Sequence, residues 1–245
     1  TQKLRALQGL SSLIDDRELP SMKALLSDIY QSIWLKLIEK IKDVRTLVAT
    51  LAHLGNIGVN GPIGLIVDQD MKKSEKYIIH ICQSGLGMPD RDYYLKSDAE
   101  SIRVRVAYER HLEVMFALMG KTKAESKKNR ETVMRMETAL AKISMAKEDL
   151  RDVDKVYHKM NVAALAKLTR KIDWAAFFKI IGAKRVREVV VMQPDFMRAV
   201  NAMLTNEPFE DWKTYLEWHL VGGASGYLSE KFEKQSFAFY GTVLA

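Results

Sequence analysis

Apolar residues recur along most of this chain at the spacing of an α-helix. Leu25, Ile29, Ile33 and Leu37 stand four apart and predict a helix over 20–41, opening on Pro20. A shorter helix is expected over 3–14. Val44, Leu47, Val48, Leu51 and Leu54 form a third stripe over 43–55, with Asp43 placed to cap it. Gly55, Gly58 and the Gly61-Pro62 pair then break the pattern.

After Pro62 the period changes. Two β-branched runs, 63–67 and 77–81, flank the polar stretch 68–76, which reads as a hairpin over about 63–83 with a long basic loop. The stretch 85–90 (Gly-Leu-Gly-Met-Pro-Asp) cannot be regular structure and must be a tight connection. From Asp98 the helical period returns. Ile102, Val106, Leu112, Met115, Phe116 and Met119 define one amphipathic helix ended by Gly120, and Val133, Met136, Leu140 and Ile143 define the next. The short polar stretch between them implies an antiparallel pair. Further helices are expected over 161–169, 174–181, 194–204, 208–221 and 227–243, with a short strand over 188–192. The expected fold class is mainly α, a multi-helix domain with one small β-hairpin.

Composition narrows the class without naming a function. A chain of 245 residues, 47% apolar and 28% charged, suits a soluble globular domain with a real core, here taken as one domain over 1–245. Few prolines (5) and glycines (13) argue against long linkers. The apolar run 189–192 falls far short of the ~20 residues that span a bilayer, and the N-terminus lacks a signal-peptide core. A start at Thr1 rather than Met points to sequence upstream. The lone Cys82 excludes an internal disulfide and, beside Ile79 and Ile81, reads as an inert buried thiol.

The net charge is +7, with basic clusters at Lys121, Lys123, Lys127, Lys128 and Arg130, and at Lys167, Arg170, Lys171, Lys184, Arg185 and Arg187. Glu125, Glu131 and Glu188 interleave them, and no nucleic-acid-binding signature accompanies them, so they read as a solvated surface.

A search for chemistry finds none. His53, His80, His111, His158 and His219 are scattered, and no H-E-x-x-H is present to set a metal and a base on one helix. Glu113 lies two residues from His111, hence on another face. The stretch 223–226 has the wrong spacing for a nucleophile elbow, and Gly85-Leu86-Gly87 runs into Pro89 where a phosphate-binding helix should begin. Asp90, Arg91 and Asp92 beside Tyr93 and Tyr94 suit helix capping better than acid–base work, and Trp34, Trp174, Trp212 and Trp218 suit the core. No catalytic, cofactor-binding or metal-binding residue is assigned.

The run 83–95, Gln-Ser-Gly-Leu-Gly-Met-Pro-Asp-Arg-Asp-Tyr-Tyr-Leu, nevertheless resembles the most recognisable N-terminal motif of the neprilysin/PepO family of zinc metalloendopeptidases, departing only at Met88. Tyr108–His111 with Leu118-Met119-Gly120, Met136–Ala141, Arg151-Asp152 with Val156–Met160, 212–220 and 239–244 resemble that family's following segments in order. The resemblance runs from about Ile41 to Ala245 and is weaker over 1–40. It implies the helical N-terminal domain that faces a thermolysin-like catalytic domain across a cavity, admitting short peptides and excluding folded proteins. The family's zinc ligands and its substrate-binding N-A-x-Y segment match no position here, so zinc and the catalytic domain are expected outside this chain. The implied partners are that catalytic domain and short peptide substrates, with no nucleic acid and no transmembrane segment. The implied compartment is periplasmic or extracellular. The alternative is a stand-alone, non-catalytic module that binds peptides or a protein; a basic nucleic-acid or membrane-surface binder is a third.

Overall fold

The computed structural model describes residues 30–244. The helix expected over 3–14 and the first part of that over 20–41 lie outside the described residues. Tyr30–Leu35 forms a π-helical turn that runs into α1 (Lys36–Glu39). α2 (Val44–Gly55) starts where its cap was expected. Asp43 Oδ1 accepts from the Thr46 amide at 2.7 Å, and the Thr46 hydroxyl accepts from the Asp43 amide at 3.1 Å. This reciprocal pair satisfies two amides that have no partner inside the helix. Leu47, Val48, Leu51 and Leu54 are buried below it.

The hairpin is present, and two short strands extend it into a sheet. β1 (Ile63–Asp70) pairs antiparallel with β2 (Lys73–Gln83), Leu65 facing Ile81. β4 (Glu188–Val191) lies parallel to β2, and β3 (Lys159–Asn161) is antiparallel to β4, giving the order β1-β2-β4-β3. Val189, Val190 and Val191 are wholly buried, as a strand covered on both faces requires. The long basic loop is corrected to two extended strand ends around a turn at Met71-Lys72. Most of their side chains are solvated, so no apolar alternation marks them, and the backbone ladder together with the buried Asp70 holds them extended.

α3 (Asp92–Leu95) leads to α4 (Ala99–Leu118) and α5 (Lys123–Ile143), capped by Asp98 and by a Thr122/Glu125 capping box. The two long helices are antiparallel: Tyr108 meets Glu137, while Arg130 reaches Glu109 at 2.7 Å and Glu113 at 3.3 Å. The stripe assigned to α4 is corrected at its start, where Ile102 and Val106 are 42% and 48% exposed. Val104, Tyr108, His111, Leu112, Met115 and Phe116 face inward instead. Tyr108 and His111 belong to the core here because the tyrosine hydroxyl and one imidazole nitrogen find partners inside it, which a count of apolar residues alone cannot anticipate.

The remaining elements are α6 (Val153–Val156), α7 (Val162–Leu168), α8 (Trp174–Ile180), α9 (Pro194–Asn206), α10 (Phe209–Ala224) and α11 (Glu230–Ser236). Asn161 ends β3 and caps α7, its Oδ1 accepting from the Ala164 amide at 2.8 Å. The single helix expected over 227–243 is instead a 3-10 turn (Ser225–Tyr227), α11 and a π-helical turn (Phe237–Gly241) that carries Phe239 into the core. One hydrophobic cluster runs from Ile38 to Phe239, and Trp174, Trp212 and Trp218 are buried in it.

Candidate functional site

The loop between β2 and α3 closes over a glutamate. Glu137, on α5, is fully buried. Tyr94, on α3, donates its hydroxyl to Glu137 Oε2 at 2.8 Å, and Tyr108, on α4, donates to the same oxygen at 2.9 Å. His219, on α10, places Nε2 3.0 Å from Oε1, close enough for an ion pair although its N–H direction is too bent for a hydrogen bond. Trp218 Nε1 donates to the Tyr108 hydroxyl at 2.9 Å. Four helices thus converge on one carboxylate.

The loop is bound to this centre through its backbone. The Tyr94 hydroxyl accepts from the amides of Gly87 and Met88 at 3.1 and 2.9 Å. Tyr215 donates to the Gly85 carbonyl at 2.7 Å, and Tyr240, in the terminal turn, donates to the Gly87 carbonyl at 3.1 Å. The glycines are required by this closeness. A Cβ at Gly87 would lie 1.9 Å from the Tyr108 hydroxyl, and one at Gly85, where φ is +91°, would lie 2.3 Å from that of Tyr215. Met88 fills the floor of the loop, 2% exposed.

Burial, and after it the neighbouring Glu137 charge, pushes the Tyr94, Tyr108 and Tyr215 hydroxyls well above their ordinary range, so they remain donors. Burial holds the His111 imidazole down at about 4, hence neutral, against the rings of Phe239 and Trp218. Every polar atom at the centre faces another protein group, and no substrate can reach the carboxylate. The arrangement is a lock that ties the loop to α4, α5, α10 and the terminal turn.

The charged triplet of the motif makes structural contacts, within the loop and to the end of α5. Asp90 Oδ1 accepts from the Asp92 amide at 2.8 Å, the Arg91 guanidinium donates to the Ser144 carbonyl, and Lys96 pairs with Asp92 at 2.6 Å. Cys82, expected as a buried thiol, is half-buried, and that burial raises its thiol and disfavours the thiolate. The histidines do not converge: His80 contacts the Gln69 carbonyl at 3.1 Å, His111 meets Gln235, and His53 and His158 are half-buried elsewhere. Among the described residues no group of three or more His, Cys, Asp or Glu side chains is placed to hold a metal ion. The basic residues from Lys167 to Arg187 lie exposed.

Reading residue types alone missed Glu137 as a centre, though a signal was available. Val133, Met136, Glu137, Leu140 and Ala141 follow the i, i+3, i+4, i+7, i+8 rule of a buried helix face, with a carboxylate in the middle. A charged residue in that position needs partners, and buried tyrosines and a histidine on facing helices supply them.

These features define a class, the N-terminal region of a metallopeptidase family. A model described as peptidase family M13, for its N-terminal part, matches residues 10–245, and the chain belongs to that family. It is 31% identical over 185 residues to endothelin-converting enzyme 1 of Mus musculus, and 32% identical over 175 residues to endothelin-converting enzyme-like 1 of Rattus norvegicus. These alignments cover 72% and 69% of this chain but 24% and 22% of the relatives, so the chain spans about a quarter of their length. The crystal structure of Mycobacterium tuberculosis zinc metalloprotease ZMP1 with an inhibitor superposes with a TM-score of 0.85 at 29% identity, covering 93% of this chain and 35% of that one. PepO of Lactobacillus rhamnosis shares the fold, with a TM-score of 0.70 at 18% identity. A zinc ion such as ZMP1 is named for finds no ligand set among the described residues.

Proposed function

We propose that this chain is the scaffold and substrate gate of a zinc endopeptidase that cleaves short peptides outside the cytoplasm, its catalytic residues lying in a separate C-terminal domain. The carrying observation is one of extent. A close structural match covers nearly all of this chain but only 35% of the zinc metalloprotease it matches, and the motif residues here are consumed in a structural lock. A gate must hold its shape against a partner domain. A fully buried network joining four helices supplies such rigidity. No helix among the described residues is long and apolar enough to cross a membrane.

The test is to express the complete gene product and compare its hydrolysis of a short peptide with that of the same sequence presented within a folded protein. The reading expects chelator-sensitive cleavage of the peptide alone. Equal cleavage of both removes the gating role. A gene product that ends near Ala245 and binds peptides without cleaving them transfers the function to the stand-alone module.

A further inference from the structure

The outer face of α4 carries an apolar row that the fold leaves uncovered. Ile102, Val106 and Val114 are exposed and, with Arg110, stand at successive steps of four along the helix. Across a groove from them runs the chain's last helical stretch, which contributes Gln235, Ala238, Phe239 and Val243, with Phe237 exposed beside it. Two helices packed side by side with an apolar seam between them form the cradle into which a third helix fits.

Basic side chains stand along the groove. Arg103 and Arg110, two turns apart on one side of α4, line it. The acids of α4 are engaged: Glu100 by Arg103 at 2.6 Å, and Glu109 and Glu113 by Arg130 on the side that faces α5. Arg110 forms no ion pair among the described residues. His111 also lines the groove. It is 1% exposed, and its Nε2 has no hydrogen-bond partner among the described residues. An apolar floor edged by Arg110, which has no ion-pair partner among the described residues, favours an occupant that is apolar on one face and acidic at its edge.

We propose that this groove docks an amphipathic helix whose acidic residues, seven apart, meet Arg103 and Arg110. Resting on the reading that this chain works against a second domain, that domain's contact lies on α4 and on the stretch from α11 through the terminal turn. Spacing decides the chemistry: residues seven apart lie on one side of a helix, as Arg103 and Arg110 do. A basic helix would meet like charge there, and a wholly apolar one would leave Arg110 uncompensated.

The probe is a synthetic helical peptide with a Leu/Ala face and two Glu seven apart, set against a twin carrying Lys at those positions. Binding of each to this chain is followed by fluorescence anisotropy at low and high salt. The acidic probe is expected to bind roughly tenfold or more tightly than its twin, an advantage that shrinks with salt. The double variant Arg103→Ala/Arg110→Ala should reduce the acidic probe to the level of the twin, and Val106→Asp should abolish binding of both. Circular dichroism of these variants should be unchanged, since the altered side chains are exposed. Equal binding of the twins, binding of neither, or arginine variants without effect overturns the proposal. Concentration-dependent dimers of this chain that Val106→Asp dissolves assign the groove to a second copy and also overturn it. Each of these outcomes leaves intact the gating reading, which is decided by hydrolysis of peptide against folded substrate.

Discussion

Two regions of this chain contradict simple hydrophobic patterning in opposite directions. At the lock, Glu137, Tyr94, Tyr108 and His219 occupy core positions and are almost wholly removed from water. At the distal arm of the hairpin, Val67 and Tyr77 are 70% and 72% exposed, although their β-branched and aromatic character marks them for a core. The lock is stable because each polar group meets another. The arm is held by its ladder and by one anchor, where Asp70 accepts from the Tyr157 hydroxyl at 2.7 Å and pairs with Lys159 at 3.0 Å. That hydrogen bond from Tyr157, aided by the Lys72 amide and Lys159, lowers the Asp70 carboxyl to about 2. Burial of a residue here follows from whether its partners are present, more than from its own polarity.

The comparison breaks most readily at the lock. Glu137→Ala leaves two tyrosine hydroxyls without their acceptor and removes the carboxylate beside His219, and should cost about 3–5 kcal/mol, the range for removing one partner from a buried charged network. Urea unfolding measures it, and a loss below about 1 kcal/mol would show that the network adds little beyond packing. Tyr94→Phe keeps the ring but deprives the Gly87 and Met88 amides of their acceptor. A loss of about 1–3 kcal/mol is expected by the same measurement.

An intermediate effect depends on pH. The His111 imidazole is held at about 4 in the folded chain against an ordinary 6.5, so the unfolded chain binds more protons between these values. Its contribution is therefore complete above pH 6.5 and declines as pH falls toward about 4. Thermal melts across that window should show the decline, and His111→Phe should flatten it. A slope unchanged by the substitution would remove His111 as its source. The smallest effects belong to the arm. Val67→Lys and Tyr77→Lys should each change stability by no more than about 0.5 kcal/mol, as expected of exposed positions. A larger loss would mean that the arm is packed against something in solution.

Much of this architecture was legible in the residues. The cap at Asp43, the breaks around Gly55–Gly61 and the antiparallel pair α4/α5 follow from local rules that tertiary context did not override. The loop motif at 83–95 led to the family, although its physical role emerged only when Tyr94 and Tyr108 were seen to meet Glu137, 43 and 29 residues away in sequence. The strand expected over 188–192 is present as β4, whereas β3 was harder because it is short and gains its definition from β4, with no hairpin turn to announce the pairing. The start of α4 was misread because Ile102 and Val106 continue a helical period on the outer face while Tyr108 and His111 hold the inner one. A period establishes that a helix forms; the partners of its polar residues decide which way it turns.

The central claim, that this chain supplies a peptidase with shape but no catalytic chemistry, is tested most directly on the purified chain. Hydrolysis of a short fluorogenic peptide is followed with added zinc and again with chelator, while bound zinc is measured by elemental analysis. The account predicts no hydrolysis above buffer and no stoichiometric zinc. Chelator-sensitive turnover with one zinc per chain would contradict it.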